Sequence, residues 1–159
     1  MKTAIRPMVH EDKESVMRIM EDITQFTPDE ITVAEEVIDC FLQKSPNSGY
    51  HVFVANADSS VAGYVCYGPT PLTKGTWDIY WLAVDVKSQG QGLGKALMEF
   101  AESKIRGSQG RLVIVETSSK LDYQKTRRFY RSRDYKIVSR IADFYAPGDD
   151  KIVLAKRLP

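Results

Sequence analysis

The stretch Val84-Asp85-Val86-Lys87-Ser88-Gln89-Gly90-Gln91-Gly92-Leu93-Gly94-Lys95-Ala96-Leu97 constrains the fold more than any other, because an apolar run gives way to a glycine-rich turn and then to helical spacing. It reads as a strand, a loop and a helix start. Gly90, Gly92 and Gly94 stand at alternate positions, where they let the backbone turn tightly and approach a ligand with no Cβ in the way. The unpaired N–H groups and the dipole of a helix N-terminus favour an anion, most often phosphate. The expectation is a pyrophosphate cradle fed by a strand.

A chain of 159 residues is long enough to bury a core without staples and reads as one domain, residues 1–159. The 22 Lys and Arg against 21 Asp and Glu leave a formal charge of +1, which argues against a dedicated polyanion binder. Cys40 and Cys66 lack C-x-x-C spacing, and His10 and His51 have no partners at ligand spacing; reduced thiols and no metal are expected. The N-terminus has no apolar leader core, and no stretch approaches the roughly 20 apolar residues of a membrane helix. The expected address is the cytoplasm, with no membrane partner.

Thr3 to Met8 reads as a short strand stopped by Pro7. A helix over about His10 to Asp22 follows, with Val16, Ile19, Met20 and Ile23 as its buried stripe. Thr27-Pro28-Asp29-Glu30 offers an N-cap, a first-turn proline and a capping-box glutamate for a second helix, buried through Val33, Val37, Ile38, Phe41 and Leu42 and ended by Lys44 to Gly49. Tyr50 to Ala55 and Val61 to Tyr67 form a hairpin. A longer strand, Trp77 to Val84, leads into the glycine loop, after which Leu93, Leu97, Phe100, Ala101 and Ile105 mark a helix closed by Gly107 and Gly110. Leu112 to Val115 is a continuous apolar run, expected to be covered on both faces. A last helix spans about Tyr123 to Ser132, and strands Tyr135 to Ile141 and Lys151 to Leu158 are joined through Asp143 to Asp150.

Two familiar glycine motifs fail here. A P-loop needs G-x-x-x-x-G-K-[ST], but Gly94-Lys95 is followed by Ala96 and its first glycine position falls on Gln89. A dinucleotide fingerprint needs G-x-G-x-x-G in an N-terminal βαβ unit, whereas these glycines are evenly spaced and follow a run of strands. What fits is Gln89-x-x-Gly92-x-Gly94. It resembles the acetyl-coenzyme A (acetyl-CoA) loop of the GNAT superfamily of N-acetyltransferases, whose pattern is Gln or Arg, two residues, Gly, one residue, then Gly or Ala. Phe129-Tyr130-x-x-x-x-Tyr135 resembles the Phe/Leu-Tyr-x-x-x-Gly-Phe/Tyr ending of that family's last helix, with Asp134 where glycine is usual. Asp tolerates a left-handed cap better than most residues.

The resemblance implies a mixed α/β fold, with a central, mostly antiparallel sheet whose middle strands splay apart and are flanked by helices. It implies that the backbones of Leu82, Ala83 and Val84 hold the pantetheine arm and thioester carbonyl. The amides of Gln89, Gly90, Gln91, Gly92, Leu93, Gly94 and Lys95 would grip the pyrophosphate, with Tyr123 and Thr126 also on the cofactor side. The competing reading is a glycine-rich turn with no ligand.

Acetyl transfer to an amine needs a neutral nucleophile, stabilisation of the developing oxyanion and a proton for the departing thiolate. Tyr130 matches the helix tyrosine that serves many family members as general acid; the competing reading is a core tyrosine beside Phe129. Asp78 lies eleven residues before Gln89, the offset at which some members carry a strand glutamate, and as the shorter acid it would act through a water. On strict alternation Asp78, Tyr80, Leu82 and Val84 share one strand face, with Trp77 and Trp81 as core on the other. Asp78 is otherwise a polar residue at an exposed strand start. Glu116 is a second base, ending an apolar strand, unless it forms a salt bridge, for example to an arginine of the next helix. Tyr123 stands seven residues before Tyr130, where the family often has an asparagine contacting the cofactor; it would otherwise close over the site with its hydroxyl or cap the helix.

Lys125, Arg127, Arg128, Arg131, Arg133 and Lys136, interleaved with Phe129 and Tyr130, raise RNA as a rival partner. The balanced charge favours a solvated face carrying Arg127 and Arg131, and no nucleic acid is expected. Acceptor recognition falls to the N-terminal helices and the last hairpin, where Glu21, Asp22, Glu30, Asp143, Asp149 and Asp150 supply acids that would attract a cationic amine if they converge. The expected activity is direct N-acetylation, by acetyl-CoA, of a primary amine on a small molecule or peptide. The alternative is a catalytically silent acyl-CoA-binding or sensing module. An edge-strand homodimer is a further implication of the resemblance.

Overall fold

The computed structural model describes residues 2–159. Its elements run β1 (Thr3–Pro7), α1 (Lys13–Asp22), α2 (Pro28–Lys44), β2 (His51–Ala57), β3 (Ser60–Pro69), β4 (Thr76–Val84), α3 (Leu93–Gly107), β5 (Leu112–Ser118), α4 (Gln124–Ser132), β6 (Lys136–Ala146) and β7 (Asp149–Arg157). The strands form one sheet in the order β1-β2-β3-β4-β5-β7-β6. Every neighbouring pair is antiparallel except β4 and β5, which run parallel. This matches the mixed α/β architecture read from the sequence.

Two hydrophobic cores sandwich the sheet. One joins Leu93, Leu97, Met98, Ala101 and Ile105 of α3 and Tyr130 of α4 to Val65, Trp77, Val113, Val115 and Leu154. The other joins Val16, Ile19 and Met20 of α1 and Ala34 and Ile38 of α2 to Val52, Val54, Tyr64 and Cys66. The α1 stripe is buried as its spacing predicts. On α2 the buried face is turned by one residue, so that Ala34 is buried and Val33 stands 50% exposed. The capping box forms: Thr27 Oγ1 accepts from the Glu30 amide at 3.1 Å, and Glu30 Oε1 accepts from the Thr27 amide at 3.4 Å, with Pro28 in the first turn.

One residue breaks the alternation of β4. Cys66 lies opposite Trp81 and Tyr67 opposite Ile79, which leaves Tyr80 without a partner on β3. Such a bulge turns the side chains beyond it to the other face. Trp77 and Ile79 belong to the α3 core, and so do Leu82 and Val84 beyond the bulge; Trp81 and Ala83 belong to the α1–α2 core. The expectation that Asp78, Tyr80, Leu82 and Val84 share a face is thereby overturned, as is the pairing of Trp77 with Trp81. Asp78 faces the α1–α2 side, opposite to Leu82 and Val84.

The last hairpin is tighter than the expected eight-residue connection. β6 extends to Ala146 and β7 starts at Asp149, so the turn is Pro147-Gly148. The slack appears as irregular pairing instead: Ile141 faces Lys151 while Ala146 faces Asp149, and Asp143 adopts a positive φ of 55°. β5 is half-covered, not covered on both faces: Val113 and Val115 are buried in the α3 core, while on the α1–α2 face Ile114 is half-buried and Glu116 exposed.

Arg6 donates two hydrogen bonds to the buried Asp12 carboxylate, at 2.7 and 2.9 Å, and these hold its pKa below the ordinary value. A lowered carboxyl pKa contributes stability above the unfolded value of about 3.9 that disappears as pH falls through the folded value. Urea midpoints measured from about pH 6 down to about pH 2 should therefore fall less steeply in Asp12→Asn than in the unsubstituted protein. Thr27→Ala should cost about 1 kcal/mol at neutral pH, from the lost cap.

Candidate active site

β4 and β5 pair only from Thr76/Leu112 to Ile79/Val115. Beyond that point β4 continues to Val84 and β5 to Ser118 with no pairing between them. Along the β4 edge from Tyr80 to Val84, the backbone groups facing β5 therefore have no ladder partner. A buried or ligand-facing edge of this kind needs hydrogen bonds from something that enters the gap. Leu82 and Val84 are half-buried against the α3 core, and Ala83 is buried on the other side, so Ala83 can offer only its backbone to a ligand.

At the end of this edge the chain enters the glycine turn. Asp85 accepts a hydrogen bond from the Lys87 amide at 3.1 Å, and Gln89 Nε2 donates to the Val84 carbonyl at 3.2 Å, folding Gln89 back against its own strand. Gly90 and Gly92 adopt φ of 80° and 86°, and a Cβ at either would meet no protein atom within 4 Å. Gly92 is the N-cap of α3 and supplies no side-chain bond to the first turn, so the amides of Leu93, Gly94 and Lys95 are left for an anion. Open space, left-handed glycines and uncapped amides coincide, and a pyrophosphate fits this cradle. Gly94 has another role: a Cβ there would sit 3.4 Å from the Phe129 ring, where α4 crosses α3.

α4 ends in a left-handed cap. The Tyr135 amide donates to the Tyr130 carbonyl at 3.1 Å and the Asp134 amide to the Arg131 carbonyl at 3.1 Å, with Asp134 at φ 70°. This is the Schellman arrangement, made by the aspartate that stands where glycine is usual. It leaves Tyr130 in the α3 core, between Phe129 and Tyr135 with both rings edge-on at 5.2 and 5.8 Å. Burial raises its hydroxyl pKa well above the ordinary phenol value, so it holds its proton at neutral pH.

The two carboxylates predicted as bases flank the gap from the opposite face. Asp78 lies beside Ile114 in the parallel register, and Thr70 Oγ1 donates to it at 2.6 Å. Glu116 is two residues further along β5 and pairs with Lys151 of β7 at 3.0 Å, not with an arginine of the next helix. Tyr80, exposed at the bulge, is pushed up to about 12 by burial and by the nearby Asp78 charge.

The acetyltransferase (GNAT) domain model matches residues 48–137 of this chain, a span that holds the parting strands, the cradle and Tyr130. The chain belongs to the GNAT family of acetyltransferases. A solved structure from Desulfovibrio desulfuricans, assigned to the same family, is 41% identical over 98% of this chain and 99% of its own, with a TM-score of 0.94. The fold is shared with Ard1 from Thermoplasma volcanium (TM-score 0.79, 21% identity, 100% and 99% covered). It is also shared with an aminoglycoside 6'-N-acetyltransferase solved with coenzyme A (TM-score 0.76, 15% identity, 98% of each chain). A search of curated proteins found no match.

In this GNAT chain several features of the site have no signature in the sequence. The Tyr123 hydroxyl donates to the Gln25 carbonyl at 3.2 Å, and Gln25 Nε2 donates to the Asp122 carbonyl, strapping the α1–α2 turn to the segment before α4. The hydroxyl of Tyr123, expected on the cofactor side, is thus directed to the α1–α2 turn. Phe26 of the same turn packs edge-on to Trp81 at 5.7 Å. Tyr145 of the last hairpin comes near Glu116, Asp149 and Glu30, whose charges add to burial in raising its pKa. Of the six acids picked out as acceptor candidates, Glu30 and Asp149 act on Tyr145, but Asp149 accepts from Ser118 Oγ and lies 4.0 Å from Lys120 Nζ, and Glu30 closes the α2 capping box. Asp150 is taken up by Arg140 at 2.6 Å and the Asp143 amide at 2.9 Å, and Asp143 by the Gly148 amide at 2.8 Å.

Thr126 sits half-buried in the first turns of α4. Arg127 is not a solvated partner of Arg131: its guanidinium donates to the carbonyls of Ser118 at 2.7 Å and Lys120 at 2.9 Å, while Arg131 is exposed. No helix among the described residues is long and apolar enough to cross a membrane.

Gly92→Ala should cost about 1 kcal/mol of stability, since a Cβ at that φ is strained even in open space. It should weaken coenzyme A binding about tenfold or more, read by calorimetry.

Proposed function

We propose that this acetyltransferase passes the acetyl group of acetyl-CoA directly to a primary amine carried by a small molecule or peptide. The observation that carries this reading is the unpaired β4 edge between the parting strands, which runs into the glycine cradle at one end and lies in one layer with Tyr130. Acetyl-CoA supplies the activated acyl group.

The chain contributes binding, orientation and proton handling. The amides around Gly92 and the first turn of α3 neutralise the pyrophosphate, and the β4 backbone from Leu82 to Val84 aligns the arm by strand-like hydrogen bonds. Backbone N–H groups at the Tyr80 bulge lie at the fork of the gap, where they can stabilise the charge that gathers on the carbonyl oxygen as the amine attacks. The amine enters from the α1–α2 face, on which Asp78 and Glu116 both lie. Either carboxylate takes the ammonium proton, directly or through a water, so that a neutral amine reaches the carbonyl. On the opposite face Tyr130, kept protonated by burial, gives its proton to the departing sulfur, and the second proton, lost from nitrogen as the tetrahedral intermediate collapses, returns the phenolate to phenol through water.

The finer choice of acceptor rests on Tyr123, Tyr145, Glu30 and Asp149 around the entrance. Two phenols beside Glu30 and Asp149 favour a cationic amine over an acidic one, with the Asp149 charge partly offset by Lys120. A second reading, an acyl-CoA-binding module without turnover, draws support from the engagement of both carboxylates, by Thr70 and by Lys151.

Thiol release from acetyl-CoA with spermidine, tyramine, kanamycin and an alanine-terminated peptide separates the two readings. The enzyme reading expects release with at least one amine, and a fall in kcat of about 100-fold in Tyr130→Phe with KM for acetyl-CoA little changed. Tight acetyl-CoA binding without release for any amine would favour the silent module.

A further inference from the structure

A buried polar cluster lies beside Tyr130. Glu102 of α3 is 6% exposed, a costly place for a carboxylate unless its oxygens are occupied. Both are: the Tyr135 hydroxyl donates to Oε2 at 2.8 Å, and Lys156 Nζ of β7 donates to Oε1 at 2.8 Å. Lys156 also lies 5.6 Å from the centre of the Tyr135 ring. Three elements are joined at one carboxylate.

Tyr135 is in turn attached to Tyr130 twice. Its amide donates to the Tyr130 carbonyl in the helix cap at 3.1 Å, and its ring meets the Tyr130 ring edge-on at 5.8 Å. Glu102 lies on the same helix whose first turn forms the phosphate cradle. The chain of contacts from cradle to acid is therefore α3, Glu102, Tyr135, Tyr130. Packing alone would fill this volume with an apolar residue at less desolvation cost; a carboxylate that orients a hydroxyl fixes a direction as well as a position.

We infer that Glu102 and Tyr135 are positioning residues for Tyr130, holding its hydroxyl in register with the sulfur end of a cofactor whose phosphate end is gripped by the same helix. Lys156, donating to Oε1, leaves Oε2 aimed at the Tyr135 hydroxyl. This rests on the assignment of Tyr130 as the general acid.

The test is a double-mutant cycle on kcat, using whichever of spermidine, tyramine, kanamycin or the alanine-terminated peptide is turned over fastest. Tyr135→Phe retains the ring and the backbone cap and removes only the hydroxyl. It should lower kcat about fivefold to tenfold while KM for acetyl-CoA stays within about twofold, and Glu102→Gln should do the same. In a Tyr130→Phe background Tyr135→Phe should change kcat less than about twofold, because the group it aims is gone. An equal loss of kcat in both backgrounds, or none in either, overturns the inference, and thermal melting of each variant shows whether the fold is retained. If Glu102→Gln does not fold, the Tyr135→Phe cycle decides alone. Absence of turnover with every amine overturns the enzyme reading. Turnover unaffected by Tyr130→Phe overturns the acid assignment, and the inference with it.

Discussion

The single extra residue in β4 governs the rest of the site. A strand cannot pair straight along both neighbours when one of its residues has no partner, and at Tyr80 β4 keeps β3 but parts from β5. The same residue reverses the side-chain alternation, placing Leu82 and Val84 with the α3 core and Trp81 and Ala83 with the α1–α2 core. One irregularity thus opens the gap, exposes the backbone that lines it and assigns the predicted acid and the predicted bases to opposite faces. Without it Asp78 and Val84 would crowd the same side, and the sheet would close.

Much of this was legible in the chain and some was not, for definable reasons. Local chemistry read well: Thr27 and Glu30 cap α2 through contacts three residues apart, and Asp134 takes the left-handed position expected of it. The glycine turn read well because backbone conformation is what its residues encode. The bulge at Tyr80 did not, since alternation arguments assume an unbroken strand and nothing in Asp78-Ile79-Tyr80-Trp81 marks the break. The partner of Glu116 was also beyond reach, because Lys151 arrives from β7 through pairing that brings Ser118 opposite it. Tyr123 and Gln25 meet only when the two halves of the chain fold onto one sheet.

The two sides of the gap are also held differently. The α3 side is a hydrophobic core whose buried carboxylate, Glu102, has both oxygens engaged. The α1–α2 side has a hydrophobic core of its own, but next to the gap it is bordered by turns joined through side-chain hydrogen bonds and aromatic edges, such as Tyr123 to Gln25 and Phe26 to Trp81. On the proposed function, proton transfer to sulfur belongs to the α3 side and admission of the amine to the side bordered by turns, which suits a reaction in which one partner is invariant in shape and the other is selected.

The strap between Gln25 and the Asp122–Tyr123 segment has an evolutionary corollary. The cofactor path is drawn largely in main-chain atoms, so replacing side chains along it removes few of its contacts as long as the glycines and the bulge remain. On the proposed function, the acceptor doorway hangs on a handful of side chains in the α1–α2 turn, which meets the sheet through Phe26 on Trp81. On that reading the doorway can be rebuilt by a few substitutions while the cofactor path is kept, so one lineage of this scaffold can drift from one acceptor to another.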